Sequence, residues 1–279
     1  MTRHADDPVH GTVARVSGPL VEVEGLHDVA LADVVRLGEG QALGEIVSLD
    51  RDVVTAQMYE YTGGLAPGAA ATATGRPLAI PLGPGLLGGI FDGLLRPLPS
   101  GPDFLGVGWG TPGLGDDERT FAFVPQVENG QHVAPGVTIG TIQETDAVTH
   151  HLKVPPAVEG EVNDLVPEGD VRRDEVVARI GEHELTLVQW WPVRRPRPVR
   201  TRLRADVPLR TGQRVVDLLF PIARGSTAAV PGGFGTGKTM LLQQIAKWCD
   251  AEVIVYVGCG ERGNEMAEVL EDFPQLEDP

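Results

Sequence analysis

Between residues 11 and 75 apolar and polar positions alternate in short runs. Val13, Val16, Val21 and Val23 fall between turn signals at Ser17-Gly18-Pro19 and Glu24-Gly25, and residues 44–59 and 64–78 repeat the style. Successive strand side chains point to opposite faces, so the pattern predicts several short strands at close spacing. A small β-barrel is the first reading and an open sheet the alternative. Residues 78–98 are apolar but carry three prolines, five glycines and Asp92, too broken for a membrane-spanning helix. They predict a buried connector with one helix around residues 86–95.

A second β-rich region runs from about 112 to 188 and carries a weak internal repeat. "ENGQHVAPGVTIGTI" (128–142) and "PEGDVRRDEVVARI" (167–180) each give a Gly turn, a Val, and an apolar run ending in Ile. The halves look like hairpins of a lipoyl- or biotinyl-type sandwich. Such carriers modify a lysine at a hairpin tip, whereas the lysine here, Lys153, lies among His150, His151, Leu152 and Val154. The carrier function is rejected and the fold analogy kept. His150-His151 has no acidic or Cys partner at ligand spacing, so a solvated pair is preferred to a metal site. Residues 190–204 hold six arginines and three prolines. Extended proline-rich chain suits an inter-domain linker lying on acidic surface, with a nucleic-acid arm as the alternative.

The clearest chemistry lies near the end. Gly232, Gly237, Lys238 and Thr239 fill the pattern G-x-x-x-x-G-K-S/T, with extra glycines at Gly233 and Gly235 and Thr236 between. Glycines let the backbone curl around an anion, and successive N–H groups form a nest for phosphate. Lys238 is placed to reach the β- and γ-phosphates and Thr239 to offer its hydroxyl to Mg2+. Residues 227–230 predict a strand before the loop. Leu241, Ile245, Trp248 and Cys249 predict a helix after it, its positive dipole end towards the phosphates. Residues 252–258 then predict a buried strand, followed by a Gly-rich turn and a helix from about Gly263. This βαβα order predicts a mainly parallel sheet whose loops gather at one edge. That edge brings Glu261 and Arg262 towards Lys238. A carboxylate to orient water and a cation for developing charge are what phosphoryl transfer needs; a surface ion pair is the alternative.

Composition narrows the field. A net charge of −16 argues against an extended nucleic-acid surface. Two cysteines, Cys249 and Cys259, make neither a disulfide framework nor a metal site and point to a reducing compartment. "MTRHADDPVHG" lacks the apolar core of a signal peptide. A soluble protein is expected.

The stretches "EYTGGLAPG", "ATGRPLAIPLGPGLLGGIFDGLLRPL", "WPVRRPRPV", "TGQRVVDLLFPIARGSTAAVPGGFGTGKT" and "AKWCDAEVIVYVGCGERGNEMAEVLEDFPQL" resemble the catalytic A (alpha) subunit of V-type and archaeal-type rotary ATPases, over nearly the whole chain. The β-rich insertion resembles the bulge region that F-type beta subunits lack. The resemblance implies a multidomain chain: a β-barrel (1–76), a connector belonging to the nucleotide-binding domain (77–111), the bulge (112–188), and a P-loop α/β domain (189–279). It implies ATP or ADP and Mg2+ as ligands. It places Lys238 on the phosphates, Thr239 on Mg2+, Glu261 as the group that polarises water, Arg262 near the γ-phosphate, and Phe234 as the aromatic of the loop. "GGFGTGKT" departs from the family loop at Gly233 and Thr236, changes that remove no phosphate contact.

Expected partners are a non-catalytic B (beta) subunit in an alternating hexameric ring, central and peripheral stalk subunits, and a membrane sector that moves protons. The expected location is the cytoplasmic face of a membrane, as a peripheral part of that complex. In the resembled family the Mg2+ aspartate, the adenine pocket and the helical domain lie past the equivalent of Pro279. The chain is therefore expected to be an N-terminal part of the catalytic polypeptide, inactive alone. A non-catalytic nucleotide-binding or assembly piece is the alternative.

Overall fold

A computed structural model of the protein describes residues 8–98, 106–108, 118–199, 201–233 and 235–272. Six strands open the chain: β1 (Val9–Ser17), β2 (Leu20–Glu24), β3 (Asp33–Leu37), β4 (Ala42–Asp50), β5 (Val53–Met58) and β6 (Ala70–Pro77). They pair antiparallel in the order β1-β2-β5-β4-β3-β6 and close into a barrel, which removes both sheet edges. Val13, Val21, Val23, Val35, Ile46 and Ala56 fill its interior. Val13 and Val16 are three positions apart, which strict alternation would put on opposite faces. A bulge between Val13 and Arg15 inserts the extra residue, so both pack against the same core.

The connector begins with β7 (Ala79–Leu82). The helix expected around 86–95 is absent; these residues form turns and one bridge, Phe91 to Pro97. Local side-chain chemistry overrides the apolar run. Asp92 accepts the N–H groups of Leu94 (2.9 Å) and Arg96 (2.8 Å), a turn that competes with helix, and Leu95 sits at φ +57°. The turn delivers the Arg96 guanidinium to Asp92 (2.6 Å) and to Glu60 (2.8 Å). Glu60 also accepts the Leu43 and Gly108 N–H groups. Arg96 is buried, Glu60 and Asp92 are half-buried, and their mutual pairing pins the connector to the barrel.

The middle region contains β8 (Thr120–Pro125), β9 (His132–Val133), β10 (Thr138–Gln143), β11 (Thr149–Lys153), β12 (Gly160–Asn163), β13 (Gly169–Arg172), β14 (Ala178–Ile180) and β15 (His183–Leu185). Two four-stranded sheets, β11-β10-β8-β13 and β15-β14-β12-β9, enclose one core of Phe121, Phe123, Ile139, Ile142, Val162 and Ile180. Moving each strand of the first sheet four places along the chain, counted cyclically from β8 to β15, gives the order of the second. The weak repeat in the sequence is therefore an internal two-fold relation in which the halves exchange edge strands. Lys153 closes β11 at the end away from the turn that joins β10 to β11, not at a hairpin tip. His150 is half-buried and His151 exposed. Among the described residues no group of three His, Cys, Asp or Glu stands close enough to hold a metal.

β16 (Gln189–Pro192) returns to pair antiparallel with β7, so the whole middle region is inserted between two paired strands. The arginine-rich stretch after it opens in a turn, the Arg195 N–H donating to the Pro192 carbonyl at 3.0 Å, and up to Arg197 it folds back on its own unit. Arg194 forms an ion pair with the buried carboxylate of Glu45, and Arg197 lies over the Trp191 ring at 4.2 Å. The chain divides into two compact units, Met1–Arg197 and Pro198–Pro279.

The second unit holds β17 (Pro208–Leu209), α1 (Arg214–Leu219), β18 (Ile222–Ala223), α2 (Lys238–Trp248) and α3 (Gly263–Asp272). Helices α2 and α3 stand where helical spacing and the Gly-rich turns predict them. The flanking strands do not form: residues 227–230 and 252–258 are irregular, and Val255 is 81% exposed. A strand needs a hydrogen-bonded neighbour, and the ladder among the described residues of this unit is the short antiparallel pair β17–β18. No helix among the described residues is long and apolar enough to cross a membrane.

Candidate functional site

The approach to α2 is shaped by glycines, each for a separate reason. Gly235 and Gly237 adopt φ of +74° and +81°, a region that costs a side chain energy. At Gly232 an added Cβ would stand 2.6 Å from the Thr236 hydroxyl oxygen, so an alanine there would displace the Thr236 side chain. Gly233 faces open space, so its place in the loop is not imposed by sterics. The Thr236 hydroxyl donates to the Gly233 carbonyl at 2.9 Å and braces the turn. Phe234 lies outside the described residues.

Helix α2 starts without a side-chain cap on Gly237 and without an acidic residue in its first turn. Its first intrahelical bond runs from the Leu241 N–H to the Gly237 carbonyl. The N–H groups of Lys238, Thr239 and Met240 therefore have no acceptor within the helix. Together with the helix dipole they make an anion-binding terminus. The Lys238 ammonium folds back over the loop and donates to the Gly232 carbonyl at 2.6 Å. Thr239 stands beside it in the first turn. N–H groups without acceptors in the helix, a cation and a hydroxyl thus share one short segment.

The far end of α2 is anchored by residues that spacing does not mark. A Cβ on Gly212 would overlap Trp248, so the chain before α1 lies directly on the helix end. Asp250 accepts the Arg210 N–H at 3.1 Å and the Arg224 guanidinium at 2.6 Å. The guanidinium holds the Asp250 carboxyl below the usual range. Asp217 accepts the Thr211 hydroxyl (2.7 Å) and N–H (2.9 Å), which lower it likewise. Forty residues separate Arg210 from Asp250, and no short-range pattern reveals such a pair. Leu241, Ile245 and Cys249 are only half-buried and Trp248 is exposed; the buried residue of α2 is Gln243.

Glu261 and Arg262 sit between the Gly-rich turn and α3, whose first bond runs from the Met266 N–H to the Arg262 carbonyl. The Glu261 carboxylate accepts the Tyr256 hydroxyl, at 3.0 and 3.2 Å to its two oxygens. Burial, then that bond, push the Tyr256 phenol above its ordinary value. Motif spacing passes over Tyr256, although a lone hydroxyl in the run Val253–Val257 is a signal. Lys238 bonds Gly232 and Glu261 bonds Tyr256; no hydrogen bond joins Lys238 to Glu261.

Three stretches of the chain match models of known protein families. Residues 13–75 match the ATP synthase alpha/beta family beta-barrel domain, and 112–194 match the ATP synthase alpha/beta subunit barrel-sandwich domain. Residues 212–278, which contain the glycine loop and the Glu261-Arg262 pair, match the ATP synthase alpha/beta family nucleotide-binding domain. The chain belongs to the ATP synthase alpha/beta family. Within this family it is 51% identical to the V-type ATP synthase alpha chain of Anaeromyxobacter sp. (strain K), over 96% of this chain and 47% of that one. It is 47% identical to the V-type ATP synthase alpha chain of Thermoanaerobacter sp. (strain X514), again over 96% and 47%. The match to the A subunit of the A-type ATP synthase of Methanopyrus kandleri is 46%, over 97% of this chain and 47% of the relative. This ATP synthase alpha/beta chain thus spans about half the length of the curated relatives it matches.

Proposed function

We propose that the chain belongs to the catalytic subunit of a V-type or A-type rotary ATP synthase, where it holds the phosphates of ATP or ADP on the loop Gly232–Thr239. The observation that carries this reading is the uncapped N-terminus of α2, entered through two left-handed glycines and overlaid by Lys238. In this proposal the N–H groups of residues 238–240 bind the phosphate oxygens. Lys238 exchanges the Gly232 carbonyl for the β- and γ-phosphates. Glu261 orients and polarises the attacking water, and Arg262 takes up charge that develops on the γ-phosphate. Phe234 belongs to the same loop.

Thr239 fits a Mg2+ role: its hydroxyl stands in the first turn of α2, next to Lys238, where no carboxylate competes. Bound Mg2+ supplies charge stabilisation at the phosphate oxygens. The proposal extends to a B subunit beside this one in a hexameric ring, to stalk subunits, and to a proton-conducting membrane sector. It also takes 1–76, 77–111, 112–188 and 189–279 as the functional divisions of the chain.

Thr239→Ala tests the metal assignment. In the assembled enzyme it raises the Mg2+ concentration needed for half-maximal ATP turnover about tenfold or more, the scale of losing one hydroxyl ligand to a charged group. Superimposable Mg2+ titrations of the variant and the parent would remove Thr239 from the metal site.

A further inference from the structure

We propose that Tyr256 is a positioning residue for Glu261, its phenol hydroxyl setting where the carboxylate stands. The inference rests on the assignment of Glu261 as the group that polarises water. Glu261 is exposed, and an exposed glutamate samples many rotamers unless something holds it. Tyr256 supplies the hold. Its hydroxyl donates to both carboxylate oxygens, at 3.0 and 3.2 Å, and a bond to an ionised acceptor is stronger than a neutral one. A single proton shared between both oxygens keeps the carboxylate end turned towards the phenol.

The turn between the two residues is itself constrained. Gly260 takes φ +69°, and a Cβ on Gly258 would overlap the Met266 sulfur on α3. Tyr256 is the half-buried residue in a segment, 251–260, whose other positions are exposed. The ring is therefore seated while its neighbours face outward. Glu261 and Glu265 on α3 are charged groups that act on the phenol. The phenol keeps its proton at neutral pH and remains a donor.

The test joins turnover with a direct reading of the contact. Tyr256→Phe keeps the ring and deletes the hydroxyl. In the assembled enzyme it lowers kcat about tenfold while KM for ATP and nucleotide affinity stay at parent values, because the phosphate loop is untouched. In parallel, the three tyrosines, Tyr59, Tyr61 and Tyr256, are followed by 13Cζ NMR through an alkaline titration. In Glu261→Gln the Tyr256 resonance titrates at lower pH than in the parent, since a charged acceptor is gone; burial and Glu265 retain the rest of the rise. An unmoved Tyr256 titration overturns the contact. Wild-type kcat in Tyr256→Phe, with Glu261→Gln inactive, overturns the positioning role alone and leaves Glu261 in place. Wild-type turnover in Glu261→Gln overturns the assignment of Glu261, and the positioning role falls with it.

Discussion

Glu261→Gln in the assembled enzyme lowers ATP turnover at least about a hundredfold while nucleotide affinity is kept. The amide has the same shape as the carboxylate and can still accept the Tyr256 hydroxyl, so the turn before α3 is preserved. What it lacks is the negative charge that, in the proposed mechanism, polarises water. A positioned base contributes about 10²–10⁴ to a rate, and the lower end of that range sets the expected loss. Steady-state turnover measured beside a nucleotide titration separates the two effects. A fall in affinity without a fall in kcat would make Glu261 a binding residue.

Lys238→Ala acts on the other half of the site. The ammonium is the side-chain cation of the loop, held at 2.6 Å from the Gly232 carbonyl. Replacing that neutral acceptor by phosphate oxygens strengthens the bond it makes. Truncating one partner of a close charge pair costs about 2–5 kcal/mol, which is roughly thirtyfold to several thousandfold in affinity. Triphosphate binding is the term affected. The glycine turns persist, because the positive φ angles at Gly235 and Gly237 do not depend on the lysine. Equilibrium titration with Mg·ATP checks the loss, and parent-like affinity would place the phosphates elsewhere.

Much of the architecture was legible in the sequence because it obeys short-range rules. The short strands of the barrel follow from two-residue alternation and turn chemistry, whereas its closure, with an open sheet as the alternative, and the bulge at Val13–Arg15 emerge only from strand pairing. The repeat in 128–142 and 167–180 encoded the two-fold sandwich. The glycine loop before α2 was legible because glycine at Gly232, Gly235 and Gly237 meets separate backbone and packing demands. Where the sequence misled, a competing interaction decided the outcome. The apolar run at 86–95 suggested a helix, but Asp92 captures the backbone of Leu94 and Arg96 and forces a turn. The run Val253–Val257 has strand composition, yet strand formation depends on a neighbour that composition does not reveal. The Asp250 contacts and the Tyr256–Glu261 pair were missed because each depends on how the chain folds back.

The loop Gly232–Thr239 and the first turn of α2 are the proposed phosphate site. Backbone amide shifts of the 15N-labelled chain, titrated with Mg·ATP and separately with AMP, test it most directly. Mg·ATP is expected to move the amides of Gly233, Gly235, Thr236, Gly237, Lys238 and Thr239 first and furthest, and AMP, lacking the β- and γ-phosphates, to move them little. Shifts centred elsewhere, or equal shifts with AMP, would contradict it.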